Sequence, residues 1–233
     1  MPAREKTVGV IGGMGPEATV DFLRRIVEAT PARDDAEHIR ELVDNNPKIP
    51  SRIAALIEGT GEDPTPVLIA MAKGLERQGA DLLTIPCNTA HWYRPAIAAA
   101  VGIPVLDMVE LAVARLDAVS PKPKTIGMVA SPAVREVGLY AERLEAGGFE
   151  ALFPDERGEA AIFAAIRAVK AKAMTDVIRA DYDAAIGALI DDGADALLIA
   201  CTELSLLPAP KGRPSVDALD ALVEETVRLG RAE

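Results

Sequence analysis

Two stretches of similar sequence decide the fold of this chain. Residues Gly79–Thr89 read GADLLTIPCNT, and residues Gly193–Glu203 read GADALLIACTE. The stretches share the glycine, the alanine, the aspartate, several apolar positions and the cysteine without a gap. A short apolar run that ends in polar residues is typical of a strand buried in a parallel sheet. The sequence therefore predicts the same strand twice, each time followed by a cysteine.

A second pair of similar stretches supports a duplication. Lys6–Ile11 reads KTVGVI and Lys124–Val129 reads KTIGMV, in the same order relative to the first pair. Two ordered matches favour the duplication of one α/β unit. Strands alternate with helical patterns along the chain, which predicts an α/β fold with mostly parallel sheets covered on both faces. We expect a first domain of residues 1–103 plus 214–233 and a second domain of residues 104–213.

Shorter signals predict individual elements. Ile103–Leu106 is predicted as a strand, Val134–Ala146 as one helix, and Val216–Leu229 as the C-terminal helix. Ser51 is predicted to cap a helix that runs to Ile57. A helix is expected to begin after each of the two cysteines. The proline-rich stretch Ser120–Pro123 resembles a joint between the halves of the chain.

Composition limits the partners and the compartment. The 233 residues include 36 acidic and 25 basic side chains, for a net charge of −11. Such a field repels nucleic acid, and no apolar run approaches the roughly 18 residues of a membrane span. No signal peptide is evident, so we expect a cytoplasmic protein with reduced cysteines. The two histidines are too few to predict a metal site such as zinc.

The two cysteines are the candidate catalytic residues. Cys87 and Cys201 each follow a strand at the edge where open parallel sheets bind ligands. Two thiols that face one ligand suit inversion at a carbon, because a thiolate removes one proton while a thiol supplies another to the opposite face. A helix N-terminus and hydrogen bonds from Asn88, Thr89 or Thr202 would lower a thiol pKa. The plainer interpretations are two buried apolar cysteines or a redox switch.

Five motifs resemble those of the aspartate/glutamate racemase family, which works without pyridoxal phosphate. They are GVIGGMGPEAT at Gly9–Thr19, DNNPKIPSR at Asp44–Arg52, GEDPTP at Gly61–Pro66, IPCNTAH at Ile85–His91 and ACTELSLL at Ala200–Leu207. The resemblance implies two Rossmann-like domains related by a pseudo-twofold duplication, with the active site in the interdomain cleft. It also implies no cofactor, a small amino-acid substrate and a homodimer. The C-terminal helix, roughly Ser215–Gly230, is expected to pack on the first domain.

The resemblance assigns roles to single residues. Cys87 and Cys201 match the acid–base pair, and Met14 belongs to the loop that roofs the site. The matching substrate residues are Asn88, Thr89 and Thr202 for the amino and α-carboxylate groups, and Arg52 with Lys170 for a side-chain carboxylate. Apart from the resemblance, the position of Glu203 two residues after Cys201 predicts that it orients Cys201 or binds the substrate ammonium group. His91 is expected to pack or cap a helix rather than to act as a base.

One motif departs from the family pattern. The family commonly has a threonine-rich turn of the type A-T-X-G-T, whereas Ala130–Val134 reads ASPAV. Ser131 keeps a hydroxyl group, but Val134 replaces the second threonine. A lost hydroxyl changes the binding of a polar ligand by about 1 kcal/mol. The amino acid that serves as substrate therefore stays open, with aspartate and glutamate expected first.

Three alternatives remain open at the level of sequence. Gly13–Ala18 reads GMGPEA and fits a dinucleotide-binding pattern, although Pro16 removes a backbone donor where the pyrophosphate would need one. A hydantoin racemase or maleate isomerase could use the same cysteines, whereas arylmalonate decarboxylases lack one of the pair. A non-catalytic amino-acid-binding protein could retain the same cleft.

Overall fold

A computed structural model describes residues 5–231, and the chain forms two compact units. The first unit runs up to Met108 and takes in the chain again from Leu219, and the second unit is Val109–Ala218. The domain boundaries expected from the sequence lie a few residues earlier at both points where the chain passes from one unit to the other. Val105 stays with the first unit because it forms a β-bridge with Leu83.

The strands and helices alternate along the chain. The strands are β1 (Val8–Gly12), β2 (Glu41–Asn45), β3 (Leu82–Thr84), β4 (Thr125–Ala130), β5 (Glu150–Leu152), β6 (Ala196–Ala200) and β7 (Ser215–Asp217). The helices are α1 (Pro16–Ala29), α2 (Thr65–Arg77), α3 (Arg94–Ala98), α4 (Met108–Leu116), α5 (Pro132–Glu136), α6 (Ala141–Ala146), α7 (Glu156–Ala171), α8 (Asp176–Asp191) and α9 (Ala218–Gly230). No helix of residues 5–231 is both long and apolar enough to cross a membrane.

Each unit contains one parallel sheet. The first sheet has the order β2-β1-β3 and the second has the order β5-β4-β6-β7, with every described pair parallel. The central strand β1 reads VGVIG and is buried along its whole length, as expected for a strand covered on both faces. The prediction of two α/β domains with parallel sheets is confirmed.

The two units repeat one close packing contact at equivalent residues. A Cβ added to Gly9 in β1 would lie 2.6 Å from Leu83 and 3.0 Å from Ala80. A Cβ added to Gly127 in β4 would lie 2.8 Å from Leu197 and 3.0 Å from Ala194. The leucines and alanines hold matching positions in the two repeated stretches. Each sheet therefore needs a glycine where its first strand packs against the equivalent leucine and alanine.

An aspartate anchors the repeated strand in both units. The Asp81 carboxylate accepts the Thr7 N–H at 2.8 Å, and the Asp195 carboxylate accepts the Thr125 N–H at 2.9 Å. The aspartate of the repeated GAD sequence therefore joins the start of one strand to its neighbour. This contact explains why the aspartate repeats although it lies outside the apolar core.

Three predicted elements are wrong. Ile103–Leu106 forms only the bridge from Val105, because it contributes a single residue to the sheet. Val134–Ala146 divides into α5 and α6, since the Leu139 N–H donates back to the Val134 carbonyl and closes a turn. The start of the predicted C-terminal helix is strand β7, because Ser215–Asp217 pairs with β6.

Two other local predictions need adjustment. Ser51 does accept the Ala54 N–H at 3.2 Å, but the segment that follows, Ala54–Glu58, is π-helical. The stretch Ser120–Pro123 is not the joint between the units, since it lies within the second unit just before β4.

The C-terminal helix belongs to the first unit. The Lys6 N–H donates to the Gly230 carbonyl at 2.9 Å, and Arg25 of α1 forms an ion pair with Asp220 of α9. The buried side chains of α9 include Leu219, Leu222 and Val223. The chain thus returns to its first unit after completing the second.

Candidate active site

The loop after β1 has a shape that requires glycine at position 13. Gly13 has a φ of +97°, and its Cα approaches the backbone of Asn46 so closely that an added Cβ would lie 2.3 Å from the Asn46 carbonyl. The Gly13 N–H donates to the Thr19 hydroxyl at 2.9 Å, and that hydroxyl donates to the Gly15 carbonyl at 3.1 Å. The loop that carries Met14 is therefore fixed from both sides.

The same contacts weaken the dinucleotide alternative. A phosphate-binding loop needs outward-facing backbone N–H groups at the start of its helix. The Gly13 N–H is buried and already bound to Thr19, and Pro16 has no N–H to offer. Two of the donors that a pyrophosphate would use are thus missing.

Cys87 follows β3 at the carboxyl edge of the first sheet. It is 7% exposed and belongs to the core cluster that also contains Met14, Ile85 and Tyr93. The next residue, Asn88, is buried, and Thr89 begins a 3-10 turn that ends at Tyr93. The structure therefore brings Met14 and Cys87 together in one cluster, with Asn88 and Thr89 adjoining in sequence.

His91 is committed to structure rather than to proton transfer. Its Nδ1 lies 2.9 Å from the Cys87 carbonyl, and its Nε2 accepts the Met108 N–H at 3.0 Å. Because Nε2 must accept, Nδ1 carries the hydrogen and donates to Cys87, which fixes the neutral tautomer. Burial also lowers the pKa of His91, which favours the same neutral form. The interpretation of His91 as a packing residue agrees with this geometry.

Arg52 presents a partly satisfied guanidinium group. Its Nη1 donates to the Pro50 carbonyl at 2.9 Å, while Nε is buried without a hydrogen-bond partner. Arg52 also acts on Tyr93, since burial and the Asp63 carboxylate raise the pKa of that phenol and Arg52 opposes them. Arg52 and Tyr93 are therefore near neighbours, and Tyr93 connects Arg52 to the cluster around Cys87.

Cys201 directly follows β6 and is 7% exposed. Its thiol donates to the Glu203 carboxylate, with Sγ and Oε2 3.2 Å apart. The second carboxylate oxygen, Oε1, lies 3.3 Å from Nζ of Lys170 on α7. Burial and the Glu203 charge raise the pKa of the Cys201 thiol well above its usual range, and Lys170 opposes them. The expectation of a lowered thiol pKa is therefore wrong for Cys201.

The expected helix after each cysteine is also wrong. Cys87 is followed by the 3-10 turn from Thr89 and then by the short α3, and Cys201 is followed by a 3-10 turn of three residues, Leu204–Leu206. A helix dipole sums over aligned peptide units, so turns this short provide little of it. Burial and the nearby charges of Glu203 and Lys170, rather than a helix dipole, set the pKa of the Cys201 thiol.

Ser131 and Cys201 leave neighbouring strands at the same edge. Ala130 at the end of β4 pairs with Ala200 at the end of β6, so the residues that follow emerge side by side. Ser131 and Thr202 are both buried, and the Thr202 hydroxyl oxygen has no hydrogen-bond partner. Val134 is buried in α5, one turn beyond Ser131.

The predicted residues form one group in each unit. Met14, Arg52, Cys87, Asn88 and Thr89 lie in the first unit, and Ser131, Lys170, Cys201, Thr202 and Glu203 lie in the second. Sequence reasoning missed two tyrosines. Tyr93 stands in the TAHWY stretch after Cys87, and its closeness to Cys87 in sequence could have identified it as a neighbour of the site. Tyr182 of α8 is buried close enough to Cys201 for that thiol to contribute to its raised pKa, which no sequence pattern indicates.

Comparison with known proteins decides the family. The family model described as Asp/Glu/Hydantoin racemase matches residues 11–226, nearly the whole chain. The chain belongs to this racemase family. It is therefore an isomerase, and the resemblance of its motifs to the aspartate/glutamate racemases is confirmed.

Individual racemases resemble the chain over most of its length. It is 25% identical over 229 residues to the broad specificity amino-acid racemase RacX of Bacillus subtilis, covering 94% of this chain and 96% of that one. The aspartate racemase of Picrophilus torridus is 29% identical, with a TM-score of 0.87 over 98% of this chain and 96% of that one. A glutamate racemase of Bacillus anthracis, 15% identical with a TM-score of 0.70 over 97% and 81% of the two chains, shares the fold.

Proposed function

We propose that this racemase interconverts the L and D forms of an amino acid, with aspartate or glutamate as the preferred substrate, and that it needs no cofactor. The observation that carries the proposal is the position of Cys87 and Cys201. They follow equivalent strands, each paired to the first strand of its own unit, at the edge where parallel sheets bind ligands. The broad specificity amino-acid racemase and the aspartate racemase named above support an amino-acid substrate.

The proposed reaction uses the two thiols in turn. The thiolate of one cysteine takes the proton from the α-carbon, and the electron pair of that C–H bond delocalises onto the α-carboxylate. The thiol of the other cysteine then gives its proton to the opposite face of the carbon. The product is the enantiomer, and the two cysteines have exchanged protonation states. The reverse reaction therefore starts from the state in which the forward reaction ends.

Two buried polar atoms support the binding of an anionic substrate. The Arg52 Nε is a donor without a partner, and guanidinium groups bind carboxylates through two parallel hydrogen bonds. The Thr202 hydroxyl is also without a partner and adjoins Cys201 in sequence. Buried polar groups are normally hydrogen-bonded, so both atoms are candidates for contact with substrate. We assign Arg52 to the side-chain carboxylate, and Thr202 with Asn88 and Thr89 to the amino and α-carboxylate groups.

Proton exchange in D₂O tests this function directly. The enzyme, free of pyridoxal phosphate, is incubated with a panel of L- and D-amino acids, and NMR follows the loss of the α-proton while chiral chromatography follows inversion. We expect exchange with inversion on aspartate or glutamate, ending in equal amounts of both enantiomers. Absence of exchange on every amino acid would refute the proposal, and hydantoins and maleate would then be tested.

Serine substitutions test the role of the cysteines. Because a serine hydroxyl is a far weaker base than a thiol at neutral pH, Cys87→Ser and Cys201→Ser should each lower racemisation by about 10²–10⁴-fold. Thr226→Ser is the control, since the replacement keeps a hydroxyl that can donate to the Leu222 carbonyl in α9. Racemisation at a tenth or more of the wild-type rate in either cysteine variant would exclude the two-thiol mechanism.

We also propose that the protein is a homodimer, as its resemblance to the family implies, and that it is cytoplasmic, as expected from the sequence. Light scattering of the purified protein at micromolar concentration tests the assembly. A single species with the mass of one chain would refute it.

A further inference from the structure

The two cysteines differ in the residue that stands two positions further along. In the aligned repeats, CNT follows one strand and CTE follows the other, so Thr89 and Glu203 hold equivalent places. Threonine is neutral, whereas Glu203 is a carboxylic acid with 5% exposure. The duplicated scaffold therefore carries a charge beside Cys201 where the equivalent position beside Cys87 has none.

Glu203 is held between a thiol and an ammonium group. Its Oε2 accepts the Cys201 thiol at 3.2 Å, and its Oε1 lies 3.3 Å from the Lys170 Nζ. Lys170 reaches this point from α7, whose contact with the turn after Cys201 brings the two segments together. Cys201, Glu203 and Lys170 thus form a chain of three groups in which the carboxylate is the middle member.

Two other ionisable side chains, Tyr182 and Asp217, lie in the same part of the second unit. Tyr182 approaches from α8, and burial together with the thiol keeps its pKa raised, so it is neutral at physiological pH. Asp217 of β7 accepts the Ser205 hydroxyl at 2.8 Å, which satisfies one of its oxygens. Glu203 and Lys170 are therefore the charges that act most directly on the Cys201 thiol.

We propose that Glu203 is a positioning residue that holds Cys201 as the neutral thiol in the ligand-free enzyme, and that Lys170 limits this effect by pairing with the same carboxylate. An acceptor carboxylate 3.2 Å from Sγ favours the form that carries the S–H hydrogen. A cation on the other oxygen withdraws part of that negative charge, so it favours the thiolate. The two side chains therefore act on Cys201 in opposite directions.

A consequence follows, which rests on the proposed function. A two-thiol racemase needs one thiol and one thiolate at the start of each turnover. If Cys201 is the resting thiol, Cys201 is the proton donor of the first half-reaction and Cys87 is the proton acceptor. The difference between Thr89 and Glu203 then decides where the enzyme keeps its proton between turnovers.

The pH dependence of alkylation at each cysteine tests the proposal. The folded enzyme is treated with iodoacetamide across a pH series, and mass spectrometry of the tryptic peptides measures each cysteine separately. The variants are Glu203→Gln and Lys170→Gln. The controls are Glu159→Gln, which removes a carboxylate of α7 paired with Arg135 in the same unit, and Lys124→Gln, which removes a lysine paired with Glu150.

We expect opposite shifts in the midpoint for Cys201. Glu203→Gln should lower the midpoint by about one pH unit, and Lys170→Gln should raise it. A thiol with a lower pKa gives a less nucleophilic thiolate, so at pH 7 the tenfold gain in thiolate becomes about a threefold gain in rate. The midpoint for Cys87, and both midpoints in the control variants, should not move.

The midpoint separates this role from a structural one. A variant that merely loosens the fold would expose the Cys201 thiol to water and lower its midpoint, whichever side chain is removed. A rise in Lys170→Gln beside a fall in Glu203→Gln is therefore the result that a structural role does not produce. An unchanged Cys201 midpoint in Glu203→Gln, shifts of the same sign in both variants, or an equal shift at Cys87 would each overturn the proposal. Alkylation requires no turnover, so a protein that shows these shifts but exchanges no α-proton would refute the proposed function and leave the role of Glu203 intact.

Discussion

The close approach of Gly13 to Asn46 gives a prediction for which Gly79, in the same unit, supplies the control. Gly13 and Gly79 both have a φ of +97° and both lie in the first unit. A Cβ at Gly13 would lie 2.3 Å from the Asn46 carbonyl and 2.6 Å from its N, whereas a Cβ at Gly79 would have no atom within 4 Å. The substitutions Gly13→Ala and Gly79→Ala therefore share backbone strain and differ in steric overlap.

The magnitudes follow from these two contributions. An L-residue in the left-handed region costs about 1–2 kcal/mol, and both variants lose this amount of unfolding free energy. The contacts at Gly13 fall about 1 Å short of the roughly 3.5 Å optimum between carbon atoms, and such overpacking costs a further 1–3 kcal/mol or so. For a chain of this size the expected drop in Tm is about 4 °C for Gly79→Ala and about 10 °C for Gly13→Ala.

Thermal denaturation by circular dichroism and α-proton exchange in D₂O are measured on both variants. Gly13→Ala should also lose more than about tenfold in exchange rate, because displacing the loop by a fraction of an ångström moves Met14. Gly79→Ala should keep the wild-type rate below its Tm. Equal drops in Tm would refute the argument that the Asn46 contact requires glycine, and a full exchange rate in Gly13→Ala would separate this loop from the active site.

Three other substitutions address buried polar atoms. Thr202→Val removes a hydroxyl without a partner, so Tm should stay level or rise while exchange falls about tenfold; a lower Tm would contradict this. Arg52→Gln should reduce exchange on aspartate and glutamate by about 10–100-fold and leave alanine exchange nearly unchanged; equal losses would contradict its assignment to the side-chain carboxylate. Burial raises the pKa of Glu41 from 4.5 to about 7, so its contribution to stability is present at acid pH and is lost as the pH rises through about 7. Glu41→Gln should therefore stabilise the protein against urea at about pH 8 but not at about pH 4, and an equal effect at both would contradict this.

The parts of the fold that could be predicted are those whose sequence is repeated in both halves of the chain or follows a local hydrophobic pattern. The repeated strands at Val8–Gly12 and Thr125–Ala130, and the long amphipathic helices, follow from short-range periodicity. Strand β7 could not be predicted, because three residues become a strand only by pairing with β6. The division of Val134–Ala146 also depends on a turn that longer-range packing selects over a continuous helix.

The same distinction applies to the candidate site. The sequence motifs predict Cys87, Cys201 and Arg52 as candidate site residues, since each follows a predicted strand or the loop after one. The ionisation of Cys201 could not be predicted, because it depends on burial and on Lys170, which α7 brings to Glu203 from a distant part of the sequence. Burial and charge are properties of the assembled unit, so a motif can locate a thiol without revealing its pKa.

The unequal surroundings of the two cysteines are compatible with a reaction between mirror images. Two enantiomers have equal free energy, so thermodynamics requires kcat/KM to be the same for both at every pH, whichever thiol holds the proton at rest. A carboxylate beside only one cysteine therefore cannot favour one product at equilibrium; it can only divide kcat and KM differently between the two directions. The repeat needs to preserve the position of each thiol, and the residue two places further along is free to differ, as Thr89 and Glu203 do.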